Sequence, residues 1–117
     1  MGIFQTQDKQ IDEYTEQTIA HGEATNTGNY RRANMCYSRI VEALKALDDE
    51  GARTALSRLL NHPNASVRCW AATHLLPHKE ELAKLALKKI VEVNSGWIGF
   101  DAKMVLQEWE KGTLKIP

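Results

Sequence analysis

The chain has 117 residues, 43% of them apolar, and 15 basic side chains balance 15 acidic ones. That length and apolar share allow one domain with a real core and exclude wholesale disorder. No apolar run approaches the roughly 18–20 residues of a membrane span, and a zero net charge lacks the basic excess of a dedicated nucleic-acid binder. Residues 1–50 hold five basic against nine acidic groups, a net of −4, and residues 51–117 hold ten against six, a net of +4. Such polarity suits a protein partner with its own charge pattern; its plainer meaning is solvated helix faces that differ. Met1-Gly2-Ile3-Phe4-Gln5 has neither a basic n-region nor an apolar h-region, so no signal peptide is expected. Met1-Gly2 with Thr6 fits a myristoylation pattern only loosely. Cys36 and Cys69 fall on separate predicted helices and read as reduced packing or surface thiols of a cytoplasmic protein.

Six helices are predicted and no strand. The first covers 6–22, with Thr6 as N-cap, Asp8 in its first turn, a thin apolar side of Ile11, Tyr14, Thr18 and Ile19, and an acidic side of Asp12, Glu13 and Glu16. Gly22–Asn29 reads as a turn or loop. The second covers 29–47, with Tyr30, Ala33, Tyr37, Ile40, Val41, Leu44 and Leu47 at helical spacing on a buried stripe and Arg31, Arg32, Arg39, Glu42 and Lys45 outside. Asp48-Asp49-Glu50 supplies a cap and negative charge to the third helix, 50–60, which turns Ala52, Ala55, Leu56, Leu59 and Leu60 inward. The fourth, 65–76, is capped by Asn64 and stopped by Pro77. The fifth, 78–93, turns Leu82, Leu85, Ala86, Ile90 and Val93 inward and is broken at Asn94-Ser95-Gly96. The sixth, 98–111, turns Phe100, Ala102, Val105, Leu106 and Trp109 inward and ends at Gly112.

The third to sixth helices repeat at an offset of 30. Ala52, Ala55, Leu56 and Leu60 map onto Leu82, Leu85, Ala86 and Ile90, and Ala72, Leu75 and Leu76 map onto Ala102, Val105 and Leu106. Between Leu59-Leu60 and Val67-Arg68-Cys69-Trp70-Ala71-Ala72 the linker Asn61-His62-Pro63-Asn64 is too short for anything but antiparallel helices, and the Ala-Ala step lets backbones approach. This is the pattern of a HEAT-like helical repeat. The expectation is a single all-α domain over 1–117, built as a HEAT-like α-solenoid of three stacked helical hairpins at about 6–47, 50–76 and 78–111, the first a divergent copy.

The chain resembles a small bacterial HEAT-like family, mostly of unknown function. The resemblance spans about residues 28–112. It rests on Gly28-Asn29-Tyr30-Arg31-Arg32-Ala33-Asn34, on the Leu59–Ala72 stretch, and on Gly99-Phe100-Asp101-Ala102 leading to Leu106-Gln107-Glu108-Trp109-Glu110-Lys111-Gly112. Small proteins of this look are often immunity partners of secreted or contact-delivered bacterial toxins. The resemblance thus implies a cytoplasmic protein, monomeric when free, that binds and neutralises a cognate toxin domain. The alternative is a general HEAT-like interaction adaptor.

Tests for chemistry point away from an enzyme and from any cofactor. His74 and His78 are four residues apart, but Pro77 ends the helix between them and no Cys or carboxylate joins at ligand spacing, so both read as helix-end surface groups rather than metal ligands. Cys36 has no evident base or oxyanion donors, and Gly96-Trp97-Ile98-Gly99 lacks the lysine and serine of a phosphate loop. Arg68 reads as a tie to carboxylates or carbonyls of an adjacent repeat, with direct ligand contact as the alternative, and Asn34, open to the same two readings, as an amide bonded to a neighbouring backbone. Trp109 falls on the core stripe, Trp70 at the edge of one, and Trp97 in a turn; Trp70 and Trp97 are candidate interface anchors, or else ordinary edge-of-core residues. The acidic group Asp12, Glu13, Glu16, Asp48, Asp49 and Glu50 is the other candidate partner surface, fitted to the basic cleft of a nuclease toxin; its plainer reading is helix-start charge on a solvated face. A nucleic-acid reading would use Arg53, Arg58, Arg68, Lys84, Lys88 and Lys89, and zero net charge with little aromatic interleaving counts against it.

Overall fold

The computed structural model describes the backbone of residues 2–94 and 96–117 and the side chains from Asp8 onward, Ser95 excepted. Within these residues the secondary structure is α1 Gly2–Asn26, α2 Tyr30–Lys45, α3 Asp49–Leu59, α4 Ala65–Leu75, α5 Glu80–Val93 and α6 Trp97–Lys111, with no strand. The protein is all-α. Helices α2 to α6 match the expected bounds to within two residues. The first helix differs: it starts at Gly2 and runs through Asn26, over the segment expected to be loop. Gly22 and Ala24 are buried, and burial of this last stretch outweighs the weak helix propensity of its Gly and Asn. Because the helix starts at Gly2, Thr6 lies inside it and is not its N-cap. The expected break is found, with Asn94 ending α5 and Gly96 preceding α6; the Met1 acylation pattern lies outside the described residues.

The chain divides into two compact units, Met1–Ala55 and Leu56–Pro117, with the boundary inside α3. In the first unit α1 packs on α2, and the short connection Thr27–Asn29 makes them antiparallel. The Asn29 side chain caps α2, accepting from the Arg32 amide at 3.1 Å. Tyr14 and Thr18 of α1 and Ala33, Cys36, Ile40 and Ala43 of α2 are buried. The Thr18 hydroxyl donates to the Thr15 carbonyl at 2.9 Å, which removes the cost of burying it.

In the second unit α4 packs on α5 and α6, and α5 packs on α6. Asn64 caps α4 as expected, accepting from the amides of Ser66 at 2.8 Å and Val67 at 3.3 Å. Ala71, Ala72, Leu75, Ala83, Leu87 and Ala102 are all completely buried. Gly112 ends α6 in the left-handed conformation (φ 75°), which a side chain would disfavour.

Several residues expected inside are outside. On α2, Tyr30 and Tyr37 are exposed and the buried stripe runs through Ala33, Cys36, Ile40 and Ala43. On α5, Leu82, Leu85 and Val93 are exposed, while Ala83, Leu87 and Ile90 are buried. On α6, Phe100 is exposed and Trp109 only half-buried. The common cause is that the contact faces are built from small residues. Alanine and cysteine let helix axes come close and gain dispersion contacts along the whole backbone, and the bulkier neighbours are left outside. Asn34, expected as an amide bonded to a neighbouring backbone, is exposed. His74, expected at the surface, is 2% exposed, because α4 is wrapped on more than one side.

Candidate partner-binding surfaces

The acidic residues belong to the first unit. Asp12 and Glu16 are exposed and lie about 160° around α1 from the Tyr14 and Thr18 positions, so they face away from α2. Glu13 is half-buried and its carboxylate accepts from Gln17 Nε2 at 3.1 Å. Counting back from the turn, Lys45 at the end of α2 lies level with residues near Ile11, and α1 runs on past that level to Gly2. The other three acids, Asp48 just before α3 and Asp49 and Glu50 at its start, are all exposed. Asp48 caps α3: its Oδ1 accepts from the Gly51 amide and its carbonyl from the Ala52 amide. Asp49 and Glu50 sit in the first turn, where the helix dipole favours negative charge.

The tryptophans lie in the second unit. Trp70 is half-buried and tilts against His74, with ring centroids 5.4 Å apart. Trp97 is the first residue of α6 rather than part of a turn, and is also half-buried. Its helix starts against Asn94: a Cβ at Gly99 would overlap the Asn94 carbonyl oxygen. Alanine normally improves a helix over glycine by about 1 kcal/mol. Here the overlap is with backbone that has little room to move, so Gly99→Ala is expected to destabilise the protein by about 1–3 kcal/mol in urea unfolding. Trp109 contacts Glu80, whose carboxylate also accepts from Lys84 Nζ at 2.7 Å; Lys84 first, then Trp109, hold the Glu80 carboxyl below its usual range.

Neither buried thiol nor buried imidazole is set up for chemistry. Burial, then the Asp101 charge, push the Cys69 thiol far above its ordinary range, and its Sγ donates to Asp101 Oδ2 at 3.8 Å. A thiol held protonated is a poor nucleophile. Burial pulls the pKa of His74 down to about 4, so it is neutral at pH 7. His78 is exposed, so the two histidines occupy different environments, and among the described residues no three His, Cys, Asp or Glu side chains gather as a metal site.

Arg68 ties the segment before α4 in place. Its Nη1 donates to the carbonyls of His62 at 2.7 Å and Pro63 at 2.8 Å. The Asn64 amide donates to His62 Nδ1 at 3.0 Å. The tie expected to an adjacent repeat is instead local, made to the carbonyls of the linker just before its own helix. Beside this linker a groove of about 380 Å³ opens against α5, with Leu60, Ile90 and Val93 as apolar lining and Arg68, Lys89 and Asn94 as polar lining.

A family model described as a domain of unknown function, DUF2019, matches residues 10–110. The chain belongs to the DUF2019 family. The crystal structure of the protein RPA1889 from Rhodopseudomonas palustris CGA009 is similar to this DUF2019 chain, with 26% identity and a TM-score of 0.84 over 95% of this chain and 93% of that one. No curated protein matches. Among the described residues of this DUF2019 protein, no helix is long and apolar enough to cross a membrane.

The exposed apolar face of α5 was missed because the helix carries apolar residues on two faces. Leu82, Leu85, Ala86 and Val93 form one arc, and Ala83, Leu87 and Ile90 form another about 110° away. The signal was present: eight apolar residues in fourteen exceed what one stripe needs.

Proposed function

We propose that this DUF2019 protein is a binding module, and that its partner is a toxin domain that it neutralises by steric and electrostatic blocking. The observation that carries this reading is the set of exposed acids of the first unit. Asp12, Glu16, Asp49 and Glu50 are exposed there, and none of them belongs to an ion pair among the described residues. Carboxylates without an internal partner have their field directed outward, where it steers a basic cleft and competes for its phosphate-binding groups. The six basic and nine acidic groups of residues 1–55 give that unit a net charge of −3, which extends the same field. Asp48 is left out of the contact set because its carboxylate caps α3.

The test is a charge reversal that spares the cap. Asp12→Lys, Glu16→Lys, Asp49→Lys and Glu50→Lys together are expected to slow association with the partner by about 10-fold or more at low salt, with the helical circular dichroism signal retained. Unchanged association would remove the acidic-surface reading. A general interaction adaptor is the second reading, and the exposed apolar face of α5 favours it, since it is a binding surface of a different kind in the other unit.

A further inference from the structure

The groove of the second unit combines three features that each point to the same occupant. Its apolar lining continues beyond it. Leu82, Leu85 and Val93 lie on one side of α5, within an arc of about 80°, and are 42%, 68% and 70% exposed. The eleven helical rises from Leu82 to Val93 give this stripe a length of about 16 Å, which calls for an elongated ligand.

The polar lining is cationic. Arg68 and Lys89 lie on the groove, no carboxylate is among the lining residues, and neither cation belongs to an ion pair among the described residues. Arg68 is also held in place. With Nη1 bound to two carbonyls, its guanidinium is fixed and its remaining N–H groups are oriented before any ligand arrives. A planar guanidinium immobilised in this way loses little entropy on binding a carboxylate. Asn61 and Asn94, also on the lining, add neutral donors and acceptors at the two sides.

We propose that this groove and the α5 stripe form a docking site for an acidic, apolar peptide segment of a partner protein, with a carboxylate on Arg68 and Lys89 and aliphatic or aromatic side chains along Leu82, Leu85 and Val93. The net charge of residues 56–117, nine basic against six acidic groups, favours the same ligand sign. The site uses none of the acidic residues of the first unit, so it stands independently of the toxin reading. A small carboxylate ligand would fill the groove but leave the stripe uncovered.

The probe is a displayed library of peptides of about ten residues, enough to follow the stripe in extended form at about 3.3 Å per residue. It is selected on the immobilised full chain. Selected peptides are expected to pair Asp or Glu with Leu, Ile or Phe. Their affinity should fall about 10-fold or more with Lys89→Glu and with Val93→Asp, and stay unchanged with Asp12→Lys plus Glu16→Lys. Lys89 and Val93 are exposed, so neither substitution threatens folding, and circular dichroism checks this. Enrichment of basic peptides, no enrichment, or binding indifferent to both groove substitutions would overturn the proposal. So would binding of N-acetylleucine as tight as that of the peptides, which would make the groove a small-molecule site.

Discussion

Leu87→Ala is expected to lower the unfolding free energy by about 2–5 kcal/mol, while Leu85→Ala changes it by no more than about 0.5 kcal/mol. The two leucines are two residues apart on α5 and chemically identical. Leu87 is fully buried and Leu85 is 68% exposed. Truncating Leu87 removes buried methyl groups and leaves a cavity in the core of the second unit. Truncating Leu85 removes a side chain that gained little on folding, and alanine is the better helix former. Urea unfolding of the two variants measures the difference. Equal losses would mean that α5 packs through both faces.

The second large effect is a pH dependence. In the folded chain His74 has a pKa of about 4, against an ordinary value near 6.5. Between these values the unfolded chain binds the proton and the folded one does not, so stability falls as pH falls. Above about pH 6.5 the contribution is fully present, and by pH 4 roughly 3 kcal/mol of it is lost. Carboxylates titrate in part of the same range, so the measurement is a difference. Urea unfolding at pH 7.5 and pH 4, on the native chain and on His74→Gln, isolates the imidazole. The native chain should lose about 3 kcal/mol more than the variant. Equal losses would show that His74 takes up its proton without unfolding.

Helix number, type and most boundaries were legible from spacing, caps and breakers. Asn64 and Gly112 act as their local chemistry required, since caps depend only on the residues beside them. Which face of each helix is buried was less legible. Periodicity gave weight to large residues such as Tyr30, Leu85 and Phe100, while the contacts use Ala33, Ala83 and Ala102. Hydrophobicity scales reward size, whereas close helix approach rewards its absence, so helices with apolar residues on two sides were read from the wrong one. His74 was misplaced for a related reason: its residue type suggested the surface, and only the packing of α4 against two helices buries it. For the candidate surfaces, the exposure of Asp12, Glu16, Asp49 and Glu50 could be anticipated from their helix positions. The groove beside Arg68 could not, because it depends on the path of the Asn61–Asn64 linker.

The two surfaces differ in chemistry. One is acidic and lies on the first unit; the other is apolar with two cations and lies on the second. Reversing charge on the first and placing an acid on the second are thus separable perturbations, expected to act additively if each engages its own ligand.

The most direct test of toxin neutralisation is to recover the partner and measure what the protein does to it. The tagged chain is expressed in its native organism and purified, stoichiometric companions are identified by mass spectrometry, and the companion is then assayed alone and with one equivalent of the chain. The expected result is a single companion with a toxin domain whose activity on nucleic acid is abolished by the chain and restored when Asp12, Glu16, Asp49 and Glu50 are lysine. A companion fully active in the complex, or no stoichiometric companion at all, would contradict it.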